Sequence, residues 1–348
     1  MTKMMNVSAV AAKVLLTGLM ALSAASCGKE FYLPGDDAVQ VEFVVGGEAA
    51  TKVTGVSSDN EQKINRWAVF VFSGSTRVAY SSSNSSAGIK LSVPVGTYDV
   101  YAMVNYPSGF SPAQASTYTA IHNLVAELSD NSASSLEMYG SVEDMEVTVG
   151  AGTKVIPVKR LVARVGVKKV SVNMSKPADA AKAFVLKGIY VSNAYSRSWW
   201  GADLSESQMS ATQGLWYNPL GQWNATGVAA DILGDRSIDA TVANGGSYST
   251  PHYFYTFPNA TSSDTHATSS WSKRHTRIVI EATLGGTTYY YQVNLPVTTR
   301  NNSYVVQDAV ITKPGSLDPE DEVAGAIEVT FATDTEDWSG PVGVTETS

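Results

Sequence analysis

The chain has 348 residues, with 24 Lys and Arg against 32 Asp and Glu, a net charge of −8, four His and a single Cys. That length exceeds one average domain and suits two of about 150 residues, each able to bury its own core, while 7 Trp, 17 Tyr and 9 Phe rule out a disordered chain. The lone cysteine excludes a disulfide framework and a cysteine-based zinc site, and the acidic balance, with no clustered run of Lys and Arg, excludes a nucleic-acid backbone as partner.

The first thirty residues read as an export signal. Lys3 precedes the apolar run Val14 to Leu22, which ends in the small residues Ser23, Ala24, Ala25 and Ser26 before Cys27. The run is too short to cross a hydrocarbon core of about 30 Å and matches a signal h-region. A cysteine directly after a small-residue box resembles the bacterial lipoprotein signal, in which Cys27 is acylated and becomes the mature N-terminus; an ordinary secretory signal cut near Ala25 is the alternative. Acyl chains hold a protein on a membrane surface through about 0.8 kcal/mol per buried CH₂.

Past the signal the pattern is that of strands. Val39 to Val45 alternates, putting Val39, Val41, Phe43 and Val45 on one face, and closes at Gly46-Gly47. Trp67 to Phe72 is apolar on both faces and reads as a covered central strand. Leu91, Val93 and Val95 alternate up to Gly96-Thr97 and Tyr98 to Val104 alternate away from it, which predicts a hairpin. Strands follow at 153–158, 161–172, 184–191, 253–257, 278–284, 289–295, 304–312 and 327–332, with Gly285-Gly286 as a two-residue positive-φ turn. Helical periodicity is confined to 115–129 and 178–183. Many short strands between turn signals predict an all-β protein of two tandem antiparallel sandwiches, with the boundary near residue 160. Lys159 and Arg160 fit either side of it.

No enzyme chemistry is legible. The histidines His122, His252, His266 and His275 form no i, i+4 pair, and the chain lacks a nucleophile elbow and a phosphate-binding glycine loop. Gly150-Ala151-Gly152 reads as a turn. The acidic run Asp318 to Glu322 beside Pro319 reads as a solvated linker, with spacing foreign to an EF-hand. Carboxylates for glycoside hydrolysis meet in space and not in sequence order, so spacing is silent on them. No cofactor is called for.

Several separated segments carry a family likeness: Phe43 to Lys52, Glu61 to Phe72, Val95 to Asn105, Val158 to Val165, Tyr255 to Asn259, Arg300 to Tyr304, and a terminal strand ending near Trp338. In this order, behind a lipoprotein signal, they resemble the Bacteroidia fimbrillins, the subunits of type V pili. The resemblance implies a two-domain, transthyretin-like β-sandwich pilin: a signal peptide over 1–26, a propeptide with the first strand over 27–52, an N-terminal sandwich over 53–160 and a C-terminal sandwich over 161–348. It implies an outer-membrane precursor anchored through lipid on Cys27, then a cell-surface fimbrium that mediates adhesion. It also implies a trypsin-like maturation protease cutting after a basic residue behind the first strand, here Lys52 before Val53, where the family pattern has Arg. Arg66 fits less well, because a cut there would expose the end of the strand starting at Trp67. The partners implied are other pilin subunits, the protease and the membrane, with a host or glycan ligand left open.

In such a pilin the first strand leaves a groove that the C-terminal strand of another subunit fills. Covering Val39, Val41, Phe43 and Val45 contributes about 1.5–3 kcal/mol each, comparable in sum with the net stability of a domain. Candidate donor residues are Ile327, Val329 and Phe331, with Val342 and Val344 beyond Trp338; the alternative is that 326–348 adds an edge strand to its own domain. A head-to-tail contact of this kind does not close and gives a filament. Two further roles stay open: a non-polymerising anchor or tip subunit, and a surface lipoprotein binding glycans through Trp199, Trp200, Trp216, Tyr217 and Trp223. Those aromatics equally suit a core under long loops. The stretch Ser81 to Ser86 reads as a hairpin tip.

Overall fold

The computed structural model describes residues 38–46, 58–224, 226–262 and 271–332. Up to residue 160 the strands are β1 (Ala38–Val45), β2 (Trp67–Ser73), β3 (Thr76–Ser83), β4 (Ile89–Pro94), β5 (Gly96–Val104), β6 (Val125–Glu127), β7 (Met138–Val147), β8 (Lys154–Ile156) and β9 (Lys159–Arg160). All but β6, which pairs with a later strand, form a three-stranded sheet, β4-β1-β8, and a five-stranded sheet, β3-β2-β5-β7-β9. Alternation decides what lies between them. Val41, Phe43 and Val45 of β1 and Val69, Val71, Val100 and Ala102 of β2 and β5 are all fully buried in one continuous core.

β2 is buried on both faces because the far side of its sheet is also covered. Phe70 stacks on Tyr80 and Phe72 meets Tyr101 edge-on at 5.7 Å, while Tyr101 packs on Tyr118 of the short helix α2 (Tyr118–His122), which follows α1 (Ser58–Glu61) in chain order. Arg77 holds this cover down by donating to the carbonyls of Pro112 and Ala115.

From residue 163 the strands are β10 (Ala163–Val167), β11 (Val170–Val172), β12 (Phe184–Ser192), β13 (Ala194–Tyr195), β14 (Arg197–Trp199), β15 (Trp216–Tyr217), β16 (Gly234–Asp235), β17 (Ala240–Val242), β18 (Ser247–Tyr248), β19 (His252–Thr256), β20 (Arg277–Leu284), β21 (Thr287–Asn294), β22 (Ser303–Ile311) and β23 (Ile327–Ala332). One sheet runs β18-β11-β22-β10-β19 with β23 on the other side of β22; the second runs β16-β12-β20-β21 with β17 on β12. β10 and β11 pair with β22 in parallel, the remaining ladders of these two sheets being antiparallel. The β20–β21 hairpin turns at Gly285 (φ 59°) and Gly286 (φ 87°), the pair of positive φ angles that a two-residue turn requires.

The all-β expectation holds, and four details differ. The predicted hairpin at Gly96-Thr97 is a corner: β4 pairs with β1 while β5 pairs with β2 and β7, so the chain crosses from one sheet to the other. Alternating runs on either side of a glycine are common to both arrangements, and Gly96 lacks the positive φ of a tight hairpin. The helical stretch at 115–129 breaks into α2, the strand β6 and a 3-10 turn at Leu128–Asp130, because β6 finds a ladder partner in β14. Ser81 to Ser83 belong to β3 and not to the tip.

The acidic run is likewise not a solvated linker. Pro319 is buried, the Glu320 carboxylate lies 3.2 Å from Arg274 and 3.5 Å from Arg277, and Gln292 donates to the carbonyls of Asp318 and Pro319. Two guanidinium groups that are only 2% exposed draw a counter-charge into the fold.

Candidate functional site

β1 occupies the middle of its sheet. It pairs antiparallel with β4 from Ala38↔Pro94 to Phe43↔Ile89 and in parallel with β8 from Phe43↔Lys154 to Val45↔Ile156. Of its four inward residues, Val41, Phe43 and Val45 are fully buried and Val39 is half-buried; they face Ile89, Leu91 and Val93, which are buried as well. Without β1, both β4 and β8 would lose ladder hydrogen bonds and the core would open. Cys27, Lys52 and Val53 lie outside the described residues.

β23 is an edge strand of its own sheet, paired antiparallel with β22 from Ile311↔Ile327 to Val305↔Ala332. Ile327 and Val329 are half-buried against the core while Glu328 and Thr330 are exposed. The Phe331 backbone pairs with Val306. Val342 and Val344 lie outside the described residues. Between β21 and the segment from Glu322 to Val329 runs a cleft of ≈ 290 Å³.

Chain segments far apart in sequence meet at Glu61, the last residue of α1. Its carboxylate accepts from the Tyr255 hydroxyl at 2.6 Å and from Arg164 at 3.2 Å, and its carbonyl accepts from Arg160 Nε at 3.0 Å. Arg160, 1% exposed, also donates through its backbone N–H and its guanidinium to Asn301 Oδ1, and Arg164 donates to Ser303 Oγ. Burial pulls the Arg160 guanidinium down to about 10, opposed by the Glu61 charge, so it stays cationic at neutral pH; burial and Glu61 push the Tyr255 phenol up. Arg160 thus resolves the ambiguity of its position: its backbone pairs with β7 while its side chain binds Asn301, ahead of β22. Four segments named above for their family likeness converge here. No spacing rule could have joined them, because the partners of Glu61 stand 99 to 194 positions away.

A second tie lies between β6 and β14, with the Arg197–Glu127 ion pair at 2.9 Å and the Trp200 N–H donating to Leu124 at 2.9 Å. Beside it, Glu137 is fully buried, accepting from Asn131 Nδ2 at 3.0 Å on one oxygen. Burial pushes its carboxyl well above the ordinary 4.5, with Asp130 and Glu127 adding to the rise. A raised folded value means that the native state keeps a proton the unfolded chain gives up. This contribution is therefore complete below about 4.5 and is lost as pH rises through the folded value. Glu137→Gln is expected to flatten that stretch of the stability curve and to be more stable than wild type at its upper end. Urea unfolding from pH 4 to 8 reads this as a loss of slope, which is at most about 1.4 kcal/mol per pH unit for one proton.

The tryptophan region is mostly interior. Trp200 and Trp216 are buried, Trp216 packs with Tyr195 and Trp271 in a small satellite core, and Trp199 and Tyr217 are half-buried. Trp223, 37% exposed, rests edge-on against Tyr190 with Arg236 beside it. Among the described residues no group of three His, Cys, Asp or Glu is placed to hold a metal ion, and no helix is long and apolar enough to cross a membrane.

No curated protein matches this sequence. Residues 39–175 match the family described as Major fimbrial subunit protein (FimA), a family of structural subunits and not of enzymes. Among solved structures, a candidate cell adhesion protein from Bacteroides eggerthii DSM 20697 is 19% identical with a TM-score of 0.61, over 86% of this chain and 96% of that one. The fimbrilin FimA of Porphyromonas gingivalis W83 is 16% identical with a TM-score of 0.56, over 84% and 96%. A candidate cell adhesion protein from Parabacteroides distasonis ATCC 8503 gives 19% and 0.56, over 85% and 95%. The family match begins on β1 and ends just past β11, and the likeness to the solved structures, at 16–19% identity, extends the same fold over most of the rest of the chain.

Proposed function

We propose that this protein is a pilus subunit that polymerises by strand replacement and serves in cell adhesion. The observation that carries the reading is the position of β1: a central strand with three fully buried side chains, joined to β2 through a stretch that contains Lys52. Burying Val41, Phe43 and Val45 contributes about 5–9 kcal/mol by the usual area rule, so a slot emptied of β1 is strongly driven to take another apolar, alternating strand. β23 suits the donor role because it lies at a sheet edge with β22 as its ladder partner, and can leave without breaking a strand beyond it.

In this reading the precursor is held on the outer membrane by lipid at Cys27, a trypsin-like protease cuts after Lys52, and residues up to 52 leave with β1. The second sandwich of one subunit then supplies Ile327, Val329 and Phe331, extended by Val342 and Val344, to the first sandwich of the next. The domain limits follow, with a propeptide over 27–52 and sandwiches over 53–160 and 161–348. The interior placement of Trp200 and Trp216 speaks against the alternative of a glycan-binding aromatic platform.

The test is intact mass and electron microscopy before and after mild trypsin. Loss of residues through Lys52 together with filament growth is the expected result, and Lys52→Ala should abolish both. A clipped chain that stays monomeric would overturn the polymerisation reading and leave an anchor or tip role.

A further inference from the structure

Lys63 and Arg66 are basic residues in the lead-in to β2, close to the stretch in which processing is proposed. Lys63 is exposed, so burial of its side chain does not protect the bond that follows it. The backbone around it is nevertheless held at Lys63, Asn65 and Arg66. The Lys63 N–H donates to Asn60 O at 3.2 Å, and its carbonyl accepts from Asn105 Nδ2 at 2.8 Å. The Asn65 N–H donates to Asn105 Oδ1 at 2.8 Å and its side-chain amide to Ser134 O at 2.9 Å, while the Arg66 carbonyl accepts from the Asn105 N–H at 2.8 Å. Asn105 is itself 2% exposed and sits at φ 54°, a left-handed position that asparagine tolerates. The Arg66 guanidinium lies over the Tyr106 ring at 5.4 Å.

This pinned stretch begins at Glu61, whose three bonds run to Arg160, Arg164 and Tyr255. A protease takes its substrate as an extended strand, so a bond held by such a network is cut only when the network opens locally.

We infer that Glu61 and Asn105 form a double latch that seals the bonds after Lys63 and Arg66 against trypsin-like proteases. Glu61 ties α1 to the second sandwich; Asn105 ties residues 63–66 to the rim of the five-stranded sheet. The latch is a stop for any cut made upstream. A chain opened before residue 58 keeps its new end fastened at Glu61, and β2 stays seated when β1 leaves. The inference does not depend on polymerisation, because it concerns different bonds from those at Lys52.

Limited trypsin digestion of the full chain, followed by peptide mass mapping over time, tests it. Wild type should show no early cut after Lys63 or Arg66. Glu61→Gln, which keeps the side-chain shape, and Asn105→Ala should each raise the initial cleavage rate at these two bonds at least tenfold while cuts at distant sites such as Lys169 and Arg236 keep their wild-type rate. Tyr255→Phe should give a smaller rise at the same bonds. Early cleavage after Lys63 in wild type, unchanged rates in both variants, or an equal rise at every site in the chain would overturn the latch.

Discussion

Phe43→Ala is expected to lower the stability of the first sandwich by about 3–5 kcal/mol, the range for emptying a fully buried aromatic site. Phe43 is fully buried at the one place where β1 touches both neighbours, opposite Ile89 of β4 and Lys154 of β8. The cavity would lie between sheets whose other residues, Val41, Val45, Val69 and Val100, are already at zero exposure and in contact, so little collapse can fill it. Gln40→Ala, on the exposed outer face of the same strand, should stay within about 0.5 kcal/mol and serves as the control. Urea unfolding followed by tryptophan fluorescence measures both, since Trp67 lies in the same core. A loss under 1 kcal/mol for Phe43→Ala would show that β1 contributes little to holding the sandwich. If β1 is the leaving strand, the same substitution should also speed its release after cleavage.

Glu320→Ala is expected to cost a similar amount, about 3–5 kcal/mol, for an electrostatic reason. Arg274 and Arg277 are each 2% exposed and share the Glu320 carboxylate at 3.2 and 3.5 Å. Removing it takes a shared carboxylate away from two buried cations. The connection between β22 and β23 keeps its backbone ties in this variant, since the Arg277 guanidinium also donates to the main-chain carbonyl of residue 320 and Gln292 to those of Asp318 and Pro319, so the loss reads the carboxylate alone. Replacing Glu320, Arg274 and Arg277 together with apolar residues of similar volume should recover most of the loss, since apolar packing removes the need to desolvate three charges. Thermal unfolding of the single and triple variants decides between the two outcomes. Equal destabilisation in both would mean that the groups act through shape alone.

The reach of sequence reasoning differs sharply between strand and site. The alternation of Val39 to Val45, the two-faced run of Trp67 to Phe72 and the Gly285-Gly286 turn specify local structure through period and backbone freedom, and each appears where those rules put it. The Gly96 corner was not legible, because alternation reports that a strand has an inner face and not which sheet it joins. Helical spacing at 115–129 gave way to β6 once β14 offered it a ladder. The acidic run at 318–322 looked solvated because its arginine partners stand more than forty positions away.

What the sequence alone determined is the all-β character, the inward set Val41, Phe43 and Val45, and the order of segments that carries the fimbrillin likeness. These follow from local chemistry: side-chain period, turn geometry and composition. Tertiary structure alone decided that β1 is a central strand and β23 an edge strand, and that Glu61, Arg160, Arg164, Tyr255 and Asn301 form one buried network. The network depends on contacts between residues 99 to 194 positions apart, where burial makes each unmet charge or hydrogen bond costly enough to select one partner. No local pattern in the chain records that selection.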